Sequence, residues 1–169
     1  MIETYKGMGP SVPSSAYIHP SAVVIGQVAV GKNVSIWPWA GVGGAMSSIS
    51  SAENPNIQDG CVLHVQENMP LKVGKNVVVG HKAVLHSCQI EDDVLIGMGA
   101  IVLDGAVVKK GAIVAAGSLV PPGKVVEPGT VVMGSPARYA KDVSPQQREH
   151  HVQNVQEYLA YKEQYQKNR

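Results

Sequence analysis

Hydrophobic residues recur along this chain with a period of six. A large aliphatic residue occupies every sixth position, and a small or β-branched residue follows four places later. The longest unbroken series runs through Ile90, Ile96, Val102, Val108, Val114, Val120, Val126 and Val132. An α-helix has a period of 3.6 and a plain strand a period of two, whereas a short strand followed by a tight turn accounts for six.

The same frame can be traced over most of the chain, with interruptions. It covers 18–46, where Met46 is expected to point inward, and it shifts after a polar break at 67–70. Asn, Asp and Gly stand between the short strands, and these residues accept the dihedral angles of turns. The Gly- and Ser-rich stretch 41–52 fits the frame poorly, and we expect it to be too flexible for a regular coil.

This pattern resembles the hexapeptide repeat of left-handed parallel β-helices. In such proteins three hexapeptides form one triangular coil of about 18 residues, with the aliphatic and the small residue directed inward. The resemblance implies an all-β fold, a left-handed parallel β-helix over residues 1–140. The handedness rests on the resemblance alone, because parallel crossovers are usually right-handed. A sandwich of short strands would not explain one frame held from Ile90 to Val132.

A C-terminal α-helix is predicted over 144–166, packed on the β-helix or on a neighbouring subunit. Ser144 provides a side-chain cap, Pro145 takes the first helical position and Gln147 stands three places after the cap. The residues expected to form the apolar stripe are Val152, Val155 and Leu159. The residues of this helix expected at the surface are His150 and His151.

Charge and composition exclude several classes of function. Lys and Arg number 14 against 13 Asp and Glu, so the net charge of +1 gives no electrostatic reason to expect nucleic acid or a membrane surface as partner. No apolar segment reaches the length of a membrane span, and we expect a cytoplasmic protein. Cys61 and Cys88 lack the spacing of a metal or redox motif, and we expect two reduced thiols.

Two histidines are predicted to lie side by side on the outside of the β-helix. His64 and His86 each follow an inward aliphatic residue, Leu63 and Leu85, so both point outward. They are 22 residues apart, which equals one coil of 18 and the four-residue shift caused by the polar break. They are therefore expected about one strand spacing apart, ~4.8 Å. Two neutral imidazoles at that distance can share one metal ion.

The third histidine of this region, His81, belongs to another edge of the same coil. It stands five places before His86 and cannot easily reach an ion held by its own chain. A symmetric ring of three subunits solves this, because each interface would present His64 and His86 from one subunit and His81 from the next. Three imidazoles around an open fourth position are a ligand set of catalytic zinc, although imidazole also accepts iron or cobalt.

Four segments of the chain carry a closer resemblance. They are Asn56-Ile57-Gln58-Asp59-Gly60, Val79-Gly80-His81 with His86 five places on, Ile96-Gly97-Met98-Gly99-Ala100 and Gly117-Ser118-Leu119-Val120-Pro121-Pro122-Gly123. They closely resemble the γ-class carbonic anhydrase-like proteins. The resemblance covers essentially the whole chain and implies a homotrimer with interfacial zinc bound by His64, His81 and His86. It also implies catalytic roles for Gln58 and Asp59 near the metal.

One triplet departs from that family. Its members carry Arg-Gly-Asp before this segment, where the present chain has Gly43, Gly44 and Ala45. Position 43 falls one coil from His64, so the family's guanidinium would stand beside the predicted ligand. In the family the Arg and Asp support the subunit interface and the acidic substrate or product. We therefore expect weak or absent hydration activity with the metal ligands retained.

Three functions remain open from the sequence. The first is reversible hydration of CO2 to bicarbonate, in which Gln58 would orient the nucleophile or CO2 and Asp59 would hold Gln58 or transfer a proton. The second is a hexapeptide-repeat acyltransferase with a histidine base. The third is a non-catalytic, metal-stabilised trimer. Fold alone does not choose among them.

Overall fold

The computed structural model describes residues 1–167, which form short strands followed by one helix. The strands of the first half are β1 (Ile2–Glu3), β2 (Tyr17–Ile18), β3 (Val23–Ala29), β4 (Ser35–Ile36), β5 (Gly41–Ser51), β6 (Asn56–Ile57), β7 (Val62–His64), β8 (Leu71–Val73) and β9 (Val78–Val79). Those of the second half are β10 (Val84–His86), β11 (Gln89–Ile90), β12 (Leu95–Ile96), β13 (Ile101–Val102), β14 (Val107–Val108), β15 (Ile113–Val114), β16 (Leu119–Val120), β17 (Val125–Val126), β18 (Thr130–Gly134) and β19 (Ala137–Asp142). The helix is α1 (Pro145–Lys167), and it lacks the apolar length that crossing a membrane requires.

The strands stack in parallel into three faces around a common core. The histidine face consists of the first half of β5 with β7, β10, β13 and β16. The helix face consists of β2, β4, β6, β9, β12, β15 and β18, and β19 pairs antiparallel with β18 at its end. The third face consists of the second half of β5 with β8, β11, β14 and β17. The chain visits the three faces in turn, which confirms the predicted parallel β-helix.

The core consists of the inward residues of the six-residue repeat. All eight aliphatic residues of the series from Ile90 to Val132 are buried, and the small residues at the fifth places pack beside them. Those small residues are Val94, Ala100, Ala106, Ala112 and Ser118. Removing such side chains from water is the main source of folding free energy, so the repeat is the stabilising element of the fold.

Strand β5 contradicts the expectation of a flexible stretch over 41–52. It is the longest strand of the described chain, 11 residues, and it pairs with β3, β7 and β8 as it passes from one face to the next. Gly44 shows why glycine is needed there, because a Cβ at that position would lie 2.7 Å from the carbonyl oxygen of Gln27. Met46 was also predicted wrongly, since its side chain is 55% exposed where the strand turns the corner.

The coil that begins at β7 contains a protruding loop, residues 65–70. Ser87 closes its base, because its hydroxyl donates to the carbonyl oxygen of Met69 (2.9 Å) and accepts the backbone N–H of Gln66 (2.8 Å). An antiparallel bridge between Gln66 and Met69 closes the loop on itself. The extra residues are therefore placed outside the prism, and His86 still pairs with His64 in the strand register.

One corner of the prism carries a ladder of side-chain hydrogen bonds. The amide of Asn33 donates to Asn54 (3.3 Å), Asn54 to Asn76 (2.9 Å) and Asn76 to the carboxylate of Asp93 (3.0 Å). All four residues have positive φ angles between 53° and 69°, a region that Asn and Asp adopt more readily than other residues with a side chain. Lys162 donates to the first rung, Asn33 (3.3 Å), so helix α1 is tied to this corner.

Helix α1 begins with the predicted capping arrangement. The backbone N–H of Gln147 donates to the hydroxyl of Ser144 (3.2 Å), and the side chain of Gln147 accepts the N–H of Ser144 (3.1 Å). The predicted apolar stripe is only partly right, because Val155 is buried whereas Val152 is 58% exposed. The residues buried against the helix face are His151, Val155 and Lys162.

His151 was expected at the surface and is instead buried, with 6% of its area exposed. Its Nε2 contacts the backbone oxygen of Asn76 at 2.9 Å, which orients the ring toward the prism, and its Nδ1 is buried without a described partner. Polar residues at helical spacing thus form the contact face that sequence reasoning assigned to aliphatic residues. Burial lowers the pKa of His151, partly offset by the Asn76 carbonyl and Asp93.

We expect acid to destabilise the protein through His151. Its folded-state pKa is lowered, so the unfolded chain binds the proton more readily, and stability falls as pH drops below about 6.5. Thermal melting followed across this range should show a smaller acid-induced loss in His151→Gln than in the wild type. His150→Gln, at an exposed position, is the matched control and should behave as the wild type. Equal pH dependence in His151→Gln and wild type would contradict this.

Candidate functional site

His64 and His86 lie side by side on the histidine face, as predicted. Each is the last residue of its strand, and they pair directly in the parallel register of β7 and β10. Their rings are stacked with centroids 5.3 Å apart and planes inclined by 23°. The Nδ1 atom of His64 is 3.2 Å from the Nε2 atom of His86.

The separation of these two nitrogens fits a shared metal ion. Two nitrogens bound to tetrahedral zinc at about 2.0–2.1 Å lie about 3.3 Å apart. The observed 3.2 Å therefore allows one cation to contact both nitrogens without movement of either strand. The donor set, two imidazoles that carry lone pairs when neutral, suits zinc, iron or cobalt.

His81 lies on the edge between the helix face and the histidine face, in the turn after β9. Its Nδ1 is 3.1 Å from Oδ2 of Asp59, and the N–H of Lys82 donates to the Asp59 carbonyl. This confirms the prediction that Asp59 stacks one coil from His81. Within the described part of this single chain, His, Cys, Asp and Glu side chains form no group of three suited to a metal ion. The predicted site takes its third histidine from a neighbouring subunit.

Gln58 is buried behind this edge, with 4% of its area exposed. Its Nε2 donates to Oδ1 of Asn56 (3.0 Å), and its Oε1 accepts the backbone N–H of His81 (3.2 Å). These contacts fix the turn that presents His81. The sequence analysis had Asp59 holding Gln58, whereas in the structure Asn56 holds Gln58 and Asp59 contacts the His81 ring.

Gly43 faces His64 directly, which confirms its predicted position one coil away. The two residues are paired in the register of β5 and β7, and a Cβ at position 43 would lie 3.0 Å from Cδ2 of His64. A depression of about 180 Å³ opens beside them. The glycine therefore leaves room next to the imidazole, and any side chain at position 43 would press on the ring.

The sequence analysis missed Asp104. Its Oδ1 makes a close hydrogen bond with Nδ1 of His86. Leu85 pairs with Val102, so Asp104 lies one residue beyond the position opposite His86. Its separation of 18 residues from His86, one coil length, is a signal that could have revealed it.

A cavity of about 410 Å³ lies between helix α1 and the prism, next to the proposed site. Its lining includes Gln58 and His81 on the prism side and Asn154 and Tyr158 on the helix side. Burial, with a smaller contribution from Asp59, raises the pKa of Tyr158 to about 12, so its hydroxyl stays protonated and can donate. The Oδ1 atom of Asn154 is buried without a described partner.

Comparisons with known proteins identify the family. The carnitine operon protein CaiE of Proteus sp. (strain LE138) is 41% identical over 157 residues, 93% of this chain and 80% of that protein. CaiE of Escherichia coli (strain K12) is 40% identical over 154 residues, 91% of this chain and 79% of that protein. This chain belongs to the CaiE family. A family model described as bacterial transferase hexapeptide (six repeats) also matches residues 87–122.

Solved structures agree with the family and the fold. A putative acetyltransferase from Bacillus cereus has 37% identity and a TM-score of 0.97 over 99% of this chain and 98% of that one. A hexapeptide transferase family protein from Anaplasma phagocytophilum has 36% identity and a TM-score of 0.94, with 97% of both chains covered. The left-handed β-helix of hexapeptide repeats is thereby confirmed for this CaiE-family protein.

The two thiols of this CaiE-family protein are expected to be unreactive in the native state. Cys61 and Cys88 are free and buried in the core, and burial raises their pKa values to about 11 and about 12. Labelling with a disulfide reagent at neutral pH should modify neither thiol in the folded protein and both after denaturation. Rapid native labelling would show that a thiol is accessible and would restore cysteine as a candidate nucleophile.

Proposed function

We propose that this protein is a metal-dependent homotrimer of the γ-class carbonic anhydrase type, with weak hydration of CO2 to bicarbonate. The observation that carries this proposal is the His64–His86 pair, whose facing nitrogens are 3.2 Å apart. Adjacent histidines on an exposed face have no evident structural task, because the core lies on the other side of both strands. A metal ion gives the pair a function.

The third ligand in this proposal is His81 of a neighbouring copy. His81 is half-exposed on an edge of the prism, with its ring oriented by Asp59. The histidine face beside that edge is apolar, since its outward residues include Val62, Val84 and Leu119. An exposed apolar sheet face supports contact with a second copy. Closed threefold symmetry would then produce three equivalent sites, and hexapeptide-repeat proteins often assemble in this way.

The chain's own residues would orient the ligands and hold protons. When bound, zinc supplies Lewis acidity that makes water a nucleophile near neutral pH, and iron or cobalt could serve similarly. Asp59 accepts a hydrogen bond from Nδ1 of His81 and so leaves Nε2 free as a donor atom. Gln58, whose Oε1 accepts the His81 N–H, keeps that turn in place. Both residues thus act first on the geometry of His81.

Weak activity follows from the missing Arg-Gly-Asp triplet. Gly43 lies against His64, so a guanidinium at this position would stand beside the site, where it could hold an anion and pair with a carboxylate. Glycine at 43 and alanine at 45 provide neither group. We therefore propose that the metal site is retained while binding of bicarbonate is poor.

Acyl transfer is the second candidate. Two solved relatives are named as an acetyltransferase and a hexapeptide transferase, and the cavity of about 410 Å³ under helix α1 exceeds what CO2 requires. An acyltransferase would use a histidine as base and would work without a metal ion. Metal dependence of the activity therefore distinguishes the two candidates.

Metal analysis and stopped-flow CO2 hydration on one preparation should show about one metal ion per chain and slow, metal-dependent hydration. A metal-loaded protein without hydration would leave the non-catalytic trimer. Mixing His81→Ala chains with His64→Ala chains should restore one complete site in each mixed ring, because each variant supplies the ligand that the other lacks. Normal metal content in either pure variant would overturn the interfacial site.

Restoring the triplet as Gly43→Arg with Ala45→Asp is expected to raise the hydration rate about tenfold or more, the equivalent of one charge-assisted hydrogen bond. Resistance to subunit dissociation should rise as well. Gly43→Arg alone is the comparison, and it should lower activity because an unpaired cation would remain beside a His64 ring pushed by the new Cβ. A double variant that changes neither quantity would show the triplet to be dispensable here.

A further inference from the structure

A carboxylate outside the predicted site controls one of its histidines. Asp104 follows strand β13 at a corner of the prism and makes a close hydrogen bond with Nδ1 of His86. The backbone of this corner is fixed, since the N–H of Gly105 donates to the Ser87 carbonyl (2.8 Å). Ser87 is itself buried and hydrogen-bonded to the loop 65–70. Asp104 is therefore held by backbone contacts on both sides of His86.

This contact selects one form of the imidazole. A carboxylate only accepts hydrogen bonds, so Nδ1 of His86 must carry the proton. The neutral ring then has its lone pair on Nε2, the atom that faces Nδ1 of His64 at 3.2 Å. His81 is held in the same way by Asp59 through its Nδ1. Two histidines of the proposed site thus each have a carboxylate on Nδ1.

We propose that Asp104 is the positioning residue of His86, which it holds with Nδ1 protonated and Nε2 free to bind a divalent metal ion. The inference rests on the proposed metal site for its consequence, although the contact itself does not. A carboxylate on the distal nitrogen fixes the orientation of a ligand imidazole and raises its basicity, and its loss typically costs about 10–100-fold in metal affinity.

The test compares Asp104→Ala and Asp104→Asn with the wild type. Asp93→Asn is the matched control, because Asp93 is also a corner carboxylate one turn away from any of the three histidines and already receives an amide hydrogen bond from Asn76. Zinc affinity is measured by competition with a chromophoric chelator, and the ligand field by the absorption of bound Co²⁺. We expect a loss of about 10–100-fold in Asp104→Ala, a smaller loss in Asp104→Asn and none in Asp93→Asn.

A second measurement on metal-free protein separates the two proposals. Nitrogen NMR of the His86 ring, at a pH where imidazole is neutral, should show a protonated Nδ1 in the wild type and a mixture of tautomers in Asp104→Ala. Wild-type protein that shows this tautomer but binds no zinc would refute the proposed function and leave Asp104 as the residue that orients His86. Unchanged tautomer, zinc affinity and Co²⁺ spectrum in Asp104→Ala would overturn the role of Asp104.

Discussion

The parallel register between successive coils determines where every functional side chain lies. Each strand is hydrogen-bonded to the equivalent strand of the next coil, about 4.8 Å away, and a one-residue slip would reverse the side chains that point inward. The buried aliphatic residues make such a slip costly, because it would expose Leu63 and Leu85 together with the rest of the core. His64 and His86 are adjacent for this reason, although 22 residues separate them. The same register places Gly43 and Asp59 beside the two histidines they face.

The repeat explains why so much of the site could be predicted from the sequence. A period of six with one inward aliphatic residue converts a difference in residue number into a difference in height and face. His64 with His86, Asp59 with His81 and Gly43 with His64 all follow from that conversion. The capping box at Ser144 was equally readable, because it depends on residues three positions apart. These relations are local or strictly periodic.

The errors arose where a residue type has more than one physical use. Glycines in β5 suggested flexibility, whereas Gly44 permits close approach of the backbone at Gln27. His151 and Lys162 suggested a solvent-exposed helix surface, whereas their polar ends reach backbone oxygens of the prism and their stems pack against it. Asp104 escaped notice because its contact is diagonal to the register. None of these uses has a periodic signature, so the sequence alone favoured the commoner one.

The loop 65–70 has a consequence for how such a protein can change over time. Its base is closed by Ser87 and by the bridge between Gln66 and Met69, so residues beyond that closure hang outside the stacked coils. Length and composition there can vary without altering the spatial relation of His64 to His86. The fold therefore contains an insertion point directly beside its proposed reaction centre, at which new recognition elements could be acquired while the chemistry below stays intact.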